Sequence, residues 1–315
     1  MRLKNIIPFI LFIFIAVISV FSEEVYQKQE ILQASWGAAP GQFGLQQGLE
    51  LETVGPLTFT RDNIGNIYLY DFIHERIQKF SNQGKYLETI GSRLVCSSFC
   101  VDESGKIYLL DVYANTVRCY SPKGELLREI KIADAIQLVE GYAQNIFIDA
   151  ENNLVVNRVD QRVHPLATVG SKEISLLSAE AQMHSEKTGY LGKADKNRYQ
   201  MQWRNKHQAD ILVANSANNL VSTISITTPD EFGAVLFLGQ DATGNIYTEV
   251  ERTDPNTILH LEVRKFNPDG KLIAIIEVPN NYFSTVYKKL EIDVAGNIYQ
   301  MHITQQGVRV IKYYK

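Results

Sequence analysis

At 315 residues the chain is long enough for two ordinary domains and for an ample core. Its 31 Lys and Arg against 35 Asp and Glu leave a net charge of −4, or −6 with 29 against 35 once residues 1–22 are removed, so a nucleic-acid-binding face is disfavoured. The cysteine count, Cys96, Cys100 and Cys119, is odd, which excludes a fully paired disulfide framework within one chain.

Residues 1–22 read as a secretory signal. Arg2 and Lys4 form the positive start, residues 6–21 are apolar apart from Pro8 and Ser19, and Val20-Phe21-Ser22 places small residues at the −3 and −1 positions, so cleavage is expected before Glu23. The apolar run is just short of a full span, which leaves an uncleaved anchor as the alternative. No cysteine follows it, which excludes a lipoprotein. The protein is expected to be periplasmic, secreted or on the cell surface, with no membrane span after cleavage.

Residues 29–36 have strand-like content and lead into Gly37-Ala-Ala-Pro-Gly-Gln-Phe43. The stretch from Gly65 to Gly91 then sets the pattern of the chain. It holds an apolar and aromatic strand at residues 67–70, a second strand at 76–80, a tight turn at Asn82-Gln83-Gly84-Lys85 and a third strand at 86–90. Three such strands cannot bury both faces alone, so copies must stack.

Five turns of one kind mark the copies: Asp62-Asn-Ile-Gly65, Asp102-Glu-Ser-Gly105, Asp149-Ala-Glu-Asn152, Asp241-Ala-Thr-Gly244 and Asp293-Val-Ala-Gly296. Each is followed by a polar residue and then Ile-Tyr or Leu-Val. Gly, or Asn next best, supplies the positive φ that closes a tight hairpin, and the Asp carboxylate accepts backbone N–H groups two or three residues on. The aspartates are therefore structural rather than metal ligands. The spacings are 40, 47, 92 and 52 residues. The gap of 92 is twice a repeat, so a sixth copy without its Asp turn is expected there, with strands at residues 198–204, 209–214 and 220–227.

Six repeats of about 46 residues match the four-stranded blades of a propeller. The predicted fold is all-β: a six-bladed β-propeller of four-stranded antiparallel blades, forming a single domain over residues 23–315. The last blade has three strands of its own, at residues 290–293, 297–303 and 307–314. Its fourth is expected from residues 29–36, antiparallel to residues 307–314, closing the ring. In between, residues 136–178 form an irregular third repeat, residues 179–195 read as a polar loop, residues 251–257 as a lengthened loop of blade five, and residues 279–287 as an aromatic insertion. On a straight strand Cys96 and Cys100 would lie about 13 Å apart, so buried free thiols are expected.

The pattern Asp71, Arg76-Ile77-Gln78, Phe80, Gly84 resembles the NHL repeat of β-propeller proteins. The second repeat keeps Asp111, Asn115, Val117-Arg118, Tyr120 and Pro122-Lys-Gly124. The fifth keeps Val263-Arg264-Lys265-Phe266 and Asn267-Pro268-Asp269-Gly270. The third departs from it, with Arg162-Val163-His164-Pro165 in place of a regular strand, and the fourth matches by position alone. The resemblance implies a six-bladed propeller and little about activity, because the fold hosts many functions.

No catalytic elbow, phosphate loop or dinucleotide fingerprint occurs, and the six histidines show no metal-binding spacing. A propeller can assemble a metal site from single residues around its axis, as related lactonase-type and lyase-type propellers do. The inner strands, however, are read as starting at Gly55-Pro56-Leu57, Ser97-Ser98-Phe99 and Ala234-Val235-Leu236, which are small or apolar. The expected function is an exported binding or scaffold module without cofactor, a monomer that presents loops to a protein, peptide or glycan. The alternative is a metal-dependent lactonase, hydrolase or lyase using Ca or Zn. The loops between second and third strands should share one face. On that face and beside it, Asp71, His74, Arg93, Asp111, Tyr113, Asn115 and Arg252 are the candidate binding residues, with Asp71 and Asp111 also placed to tie their own loops.

Overall fold

Each repeat becomes an antiparallel sheet because its strands are apolar on both faces and its turns are built to close. The structure, a computed structural model, describes residues 24–48, 50–134, 136, 145–158, 160–170 and 173–315. The expected signal segment and its cleavage site lie outside them. Strand β1 (Gln27–Ser35) is followed by a small hairpin, β2 (Gln46–Gly48) and β3 (Leu51–Val54). Blade 1 is β4 (Phe59–Arg61), β5 (Ile67–Asp71), β6 (Arg76–Phe80) and β7 (Tyr86–Ile90). Blade 2 is β8 (Ser98–Val101), β9 (Ile107–Asp111), β10 (Thr116–Tyr120) and β11 (Leu126–Lys131). Blade 3 is β12 (Asn145–Ile148), β13 (Asn153–Asn157), β14 (Arg162–Val169) and β15 (Ile174–Leu176), followed by helix α1 (Ala179–His184) and β16 (Lys187–Thr188), which also pairs with β14. Blade 4 is β17 (Tyr190–Leu191), β18 (Arg198–Asn205), β19 (Gln208–Ala214) and β20 (Leu220–Thr227). Blade 5 is β21 (Glu231–Gln240), β22 (Ile246–Thr253), β23 (Leu259–Phe266) and β24 (Leu272–Val278). Blade 6 is β25 (Leu290–Ile292), β26 (Ile298–Thr304), β27 (Gly307–Tyr314) and, as its outer strand, β1.

The ring therefore closes as the sequence predicts. β1 runs antiparallel to β27, from Gln27 opposite Tyr314 to Ser35 opposite Gly307. Apolar clusters fill the seams between neighbouring blades. Phe43, Phe59, Leu69 and Phe80 meet Met301 and Val310 between blades 1 and 6, while Tyr70, Ile77 and Phe99 meet between blades 1 and 2. The seam between blades 3 and 4 adds polar ties to the contact of Phe147 with Tyr190. There the Gln161 side-chain amide donates to the Met201 carbonyl and accepts from the Met201 N–H, both at 2.7 Å, and Asn157 Nδ2 donates to Tyr190 Oη at 2.7 Å.

The Asp turns form as expected, but the backbone donors stand two and four residues on rather than two or three. Asp62 Oδ1 accepts from Ile64 N at 3.2 Å and Asn66 N at 2.8 Å. The Tyr that follows has a role the sequence did not suggest: its hydroxyl donates to the second carboxylate oxygen, as Tyr68 does to Asp62 at 3.1 Å, Tyr108 to Asp102 at 3.0 Å and Tyr299 to Asp293 at 3.0 Å. Gly65 sits at φ +89°, and a Cβ there would approach both Arg61 Nη2 and Asn82 Cβ to 3.2 Å. Gly65→Val is expected to destabilise the protein by about 1–3 kcal/mol in denaturant titrations, through a strained φ and this crowding. An unchanged midpoint would show that the turn tolerates a side chain.

Several sequence-based expectations are corrected. The fourth repeat does have an Asp turn, two residues shorter. Asp195 accepts from Asn197 N at 2.9 Å and from the Tyr199 hydroxyl at 2.5 Å, with Lys196 rather than Gly at φ +58°. Residues 179–195 are not a simple loop: Ser178 Oγ caps α1 by accepting from Ala181 N at 3.2 Å. The helix delivers buried Gln182 to the blade 2–3 connection, where it accepts from Ala133 N and donates to the Lys131 carbonyl. One short helical turn carries too little periodicity to be read from sequence. Arg162-Val163-His164-Pro165 is part of strand β14, and Pro165 is accommodated at a register shift. Residues 251–253 belong to strand β22 rather than to a lengthened loop, so the connection is correspondingly shorter. All three cysteines are buried and free, as expected.

Candidate functional site

The candidate binding residues of blades 1 and 2 come together on the connections between second and third strands. The buried Asp71 carboxylate is a hub: Oδ1 accepts from Gly44 N at 3.0 Å, while Oδ2 lies 2.8 Å from His74 Nδ1 and 2.9 Å from Arg76 Nε. Asp111 repeats this role one blade on, accepting from Tyr113 N, Ala114 N and Arg118 Nη1 at 3.1, 3.0 and 3.0 Å. Glu75 and Asn115, each four residues beyond its Asp, both adopt φ near +50° and pass their carbonyls to the next blade's connection, at Leu94 N and Ile132 N. Arg93 therefore lies beside the first loop, exposed and itself at φ +56°. Asp71 and Asp111 hold the loops, and the surface they support is Phe72, His74, Arg93 and Tyr113.

Arg252 is not part of this group. It lies in β22 of blade 5 and is bound into its own network, pairing with Asp230, with Glu262 at 2.9 Å and with Glu277 at 3.1 Å. Its guanidinium is held charged by these partners, above its ordinary value despite burial.

Along the propeller axis runs a cavity of about 340 Å³ lined by all six innermost strands. One wall is aromatic. Phe147, Tyr190 and Phe237 follow one another across blades 3, 4 and 5, with ring centroids 5.8 and 5.4 Å apart, and Tyr199 stacks on Phe237 at 5.0 Å. Glu249, Lys288 and Glu291 also line the cavity, Glu249 on β22 beside the β21 strand that carries Phe237. Lys288 Nζ pairs with Glu291 Oε2 at 2.6 Å, and Lys289 pairs with Glu251. Toward the Asp-turn end the cavity adjoins a wider mouth of about 650 Å³ that includes Arg61, Lys193 and Asp293.

The strand-start reading placed only small and apolar residues around the axis. Ser98, Phe99 and Leu236 do line it, but β4 begins at Phe59 and β21 at Glu231, and charged lining comes from Arg61 and Glu291 on the innermost strands β4 and β25 as well as from Glu249 on a second strand and Lys288 on a connection. Glu249 is the residue this reading missed. It is 7% exposed, and burial pushes its carboxyl up from 4.5 to about 7, against the opposing pull of Lys289. A signal existed: after each Ile-Tyr pair, the position Glu249 occupies is Tyr70, Leu110 or Met301 in other blades, so a carboxylate breaks an apolar column. Among the described residues, no group of three His, Cys, Asp or Glu side chains converges to hold a metal ion.

No protein-family model matches the sequence, and no curated protein matches it. Among solved structures, the chain is similar to a member of the DUF4221 family from Bacteroides vulgatus, with a TM-score of 0.49 and 10% identity over 93% of this chain and 97% of that one. It is also similar to virginiamycin B lyase from Staphylococcus aureus, with a TM-score of 0.45 and 11% identity over 92% and 99%. Hsv2 from Kluyveromyces lactis gives 0.43 and 10% over 78% and 70%. At such identities the likeness concerns the fold.

Proposed function

We propose that the chain is an exported NHL-type propeller that docks a protein or peptide partner on the loop face of its first two blades. The observation that carries this reading is the exposure of Phe72, Val95 and Tyr113, at 41%, 43% and 71%, on neighbouring connections fixed from beneath by Asp71 and Asp111. Apolar side chains on a braced backbone lose little conformational freedom on docking, and aromatics flanked by polar and charged groups, here His74 and Arg93, are the composition of binding hot spots. Export rests on the charge and apolar pattern of residues 1–22, and the NHL assignment on the repeated Asp, Arg-Ile-Gln or Val-Arg, and Gly positions.

A photo-crosslinking amino acid at position 113 is expected to capture one defined partner in the native envelope fraction. The same group at position 220, on the outer strand β20, should not, and Phe72→Ser should abolish the product. Equal capture at both positions, or none at 113, would overturn the reading.

A further inference from the structure

Glu249 faces the axial cavity, yet its carboxylate makes no hydrogen bond or ion pair among the described residues. The nearby lysines are already paired, Lys288 with Glu291 and Lys289 with Glu251. We propose that the axial cavity binds a small organic cation, an ammonium group carried on an aromatic or other flat apolar body, with Glu249 as its counter-ion.

Three features of the site converge on this ligand chemistry. A carboxylate withdrawn from water interacts far more strongly with a cation than an exposed one does, because the surrounding dielectric is low. The Phe147, Tyr190 and Phe237 rings, packed on one another along the cavity, give the apolar body of the ligand an aromatic wall to rest against. The mouth carries six acidic side chains against four basic ones, so its field draws cations inward. The free site holds the Glu249 proton up to about pH 7, and an arriving cation displaces it. The ionisable groups facing Glu249 are Lys288, Lys289, Glu251 and Glu291, all ion-paired, and Tyr282, whose hydroxyl burial pushes further up.

This site is separate from the loop face, and either can fail without the other. Titration calorimetry of the mature protein with phenyltrimethylammonium, whose charge does not titrate, is expected to show one site per chain. Its affinity should rise about ten-fold from pH 6 to pH 8 as Glu249 ionises. Benzyl alcohol and phenylacetate should bind at least ten-fold more weakly. Glu249→Gln, with circular dichroism unchanged, should lose at least ten-fold in affinity and most of the pH dependence. The proposal is overturned if the cation gives no binding at millimolar concentration, if benzyl alcohol binds as tightly, or if Glu249→Gln retains the wild-type affinity.

Discussion

Deleting residues 23–36 should leave a chain with no cooperative melt near that of the chain that starts at residue 23. These residues include all of β1, the outer strand of blade 6, whose ladder with β27 spans Gln27 to Ser35. Each ladder bond contributes on the order of 1 kcal/mol net, and burying Leu32 and Ala34 in the seam with blade 1 contributes about 2–3 kcal/mol more. Glu24 adds pairs to Lys265, at 2.9 Å, and Lys315, and the Trp36 indole N–H donates to the Gln305 carbonyl at 3.0 Å. The strand also abuts blade 1 at Gly84, where a Cβ would run into the Ile31 carbonyl. The total is comparable with the roughly 5–15 kcal/mol by which a whole domain is stable. Losing it also exposes the edge of β27 and removes the covalent link between first and last blades. A calorimetric scan is the check. A truncated protein melting within a few degrees of the chain that starts at residue 23 would mean that β1 is dispensable for closure.

Glu249→Gln should stabilise the protein above pH 7 and do little below pH 4.5. The folded carboxyl keeps its proton to about 7, whereas the unfolded one releases it near 4.5. Between those values the folded state carries more protons, so stability falls as pH rises through this window and is lowest above it. A displacement of this size corresponds to about 3 kcal/mol. Glutamine removes the buried charge while keeping shape, so unfolding midpoints of the variant should lose most of this fall. Identical pH profiles for the two proteins would show that Glu249 is solvated when ionised.

Fold and loop construction were legible because they are written in local chemistry. Asp at the head of a turn, Gly65 at its close and Ile-Tyr beyond it repeat often enough to count blades, and a last blade short of one strand pointed to residues 29–36. Blade 4 escaped in part because its turn is shorter and uses Lys196 for positive φ. The candidate site divides along the same line. Asp71, His74, Asp111, Tyr113 and Asn115 were named as candidates by following one position from blade to blade, and they do share neighbouring connections, whereas Arg252 lies within β22 of blade 5, whose end nothing local marks.

What the sequence determined by itself is therefore the unit and its number. The turn chemistry, the apolar strands and the period act over distances shorter than one repeat, and they dictate six antiparallel blades in any solvent that rewards burial. What only the tertiary structure decided is which charges are left without partners. Glu249 and Glu251 stand two residues apart on one strand, yet Lys289, from a connection nearly forty residues further on, pairs with one and leaves the other facing the axis. Desolvation and ion pairing depend on what the remaining blades bring to a side chain, so a buried unpaired carboxylate exists only once the ring has closed.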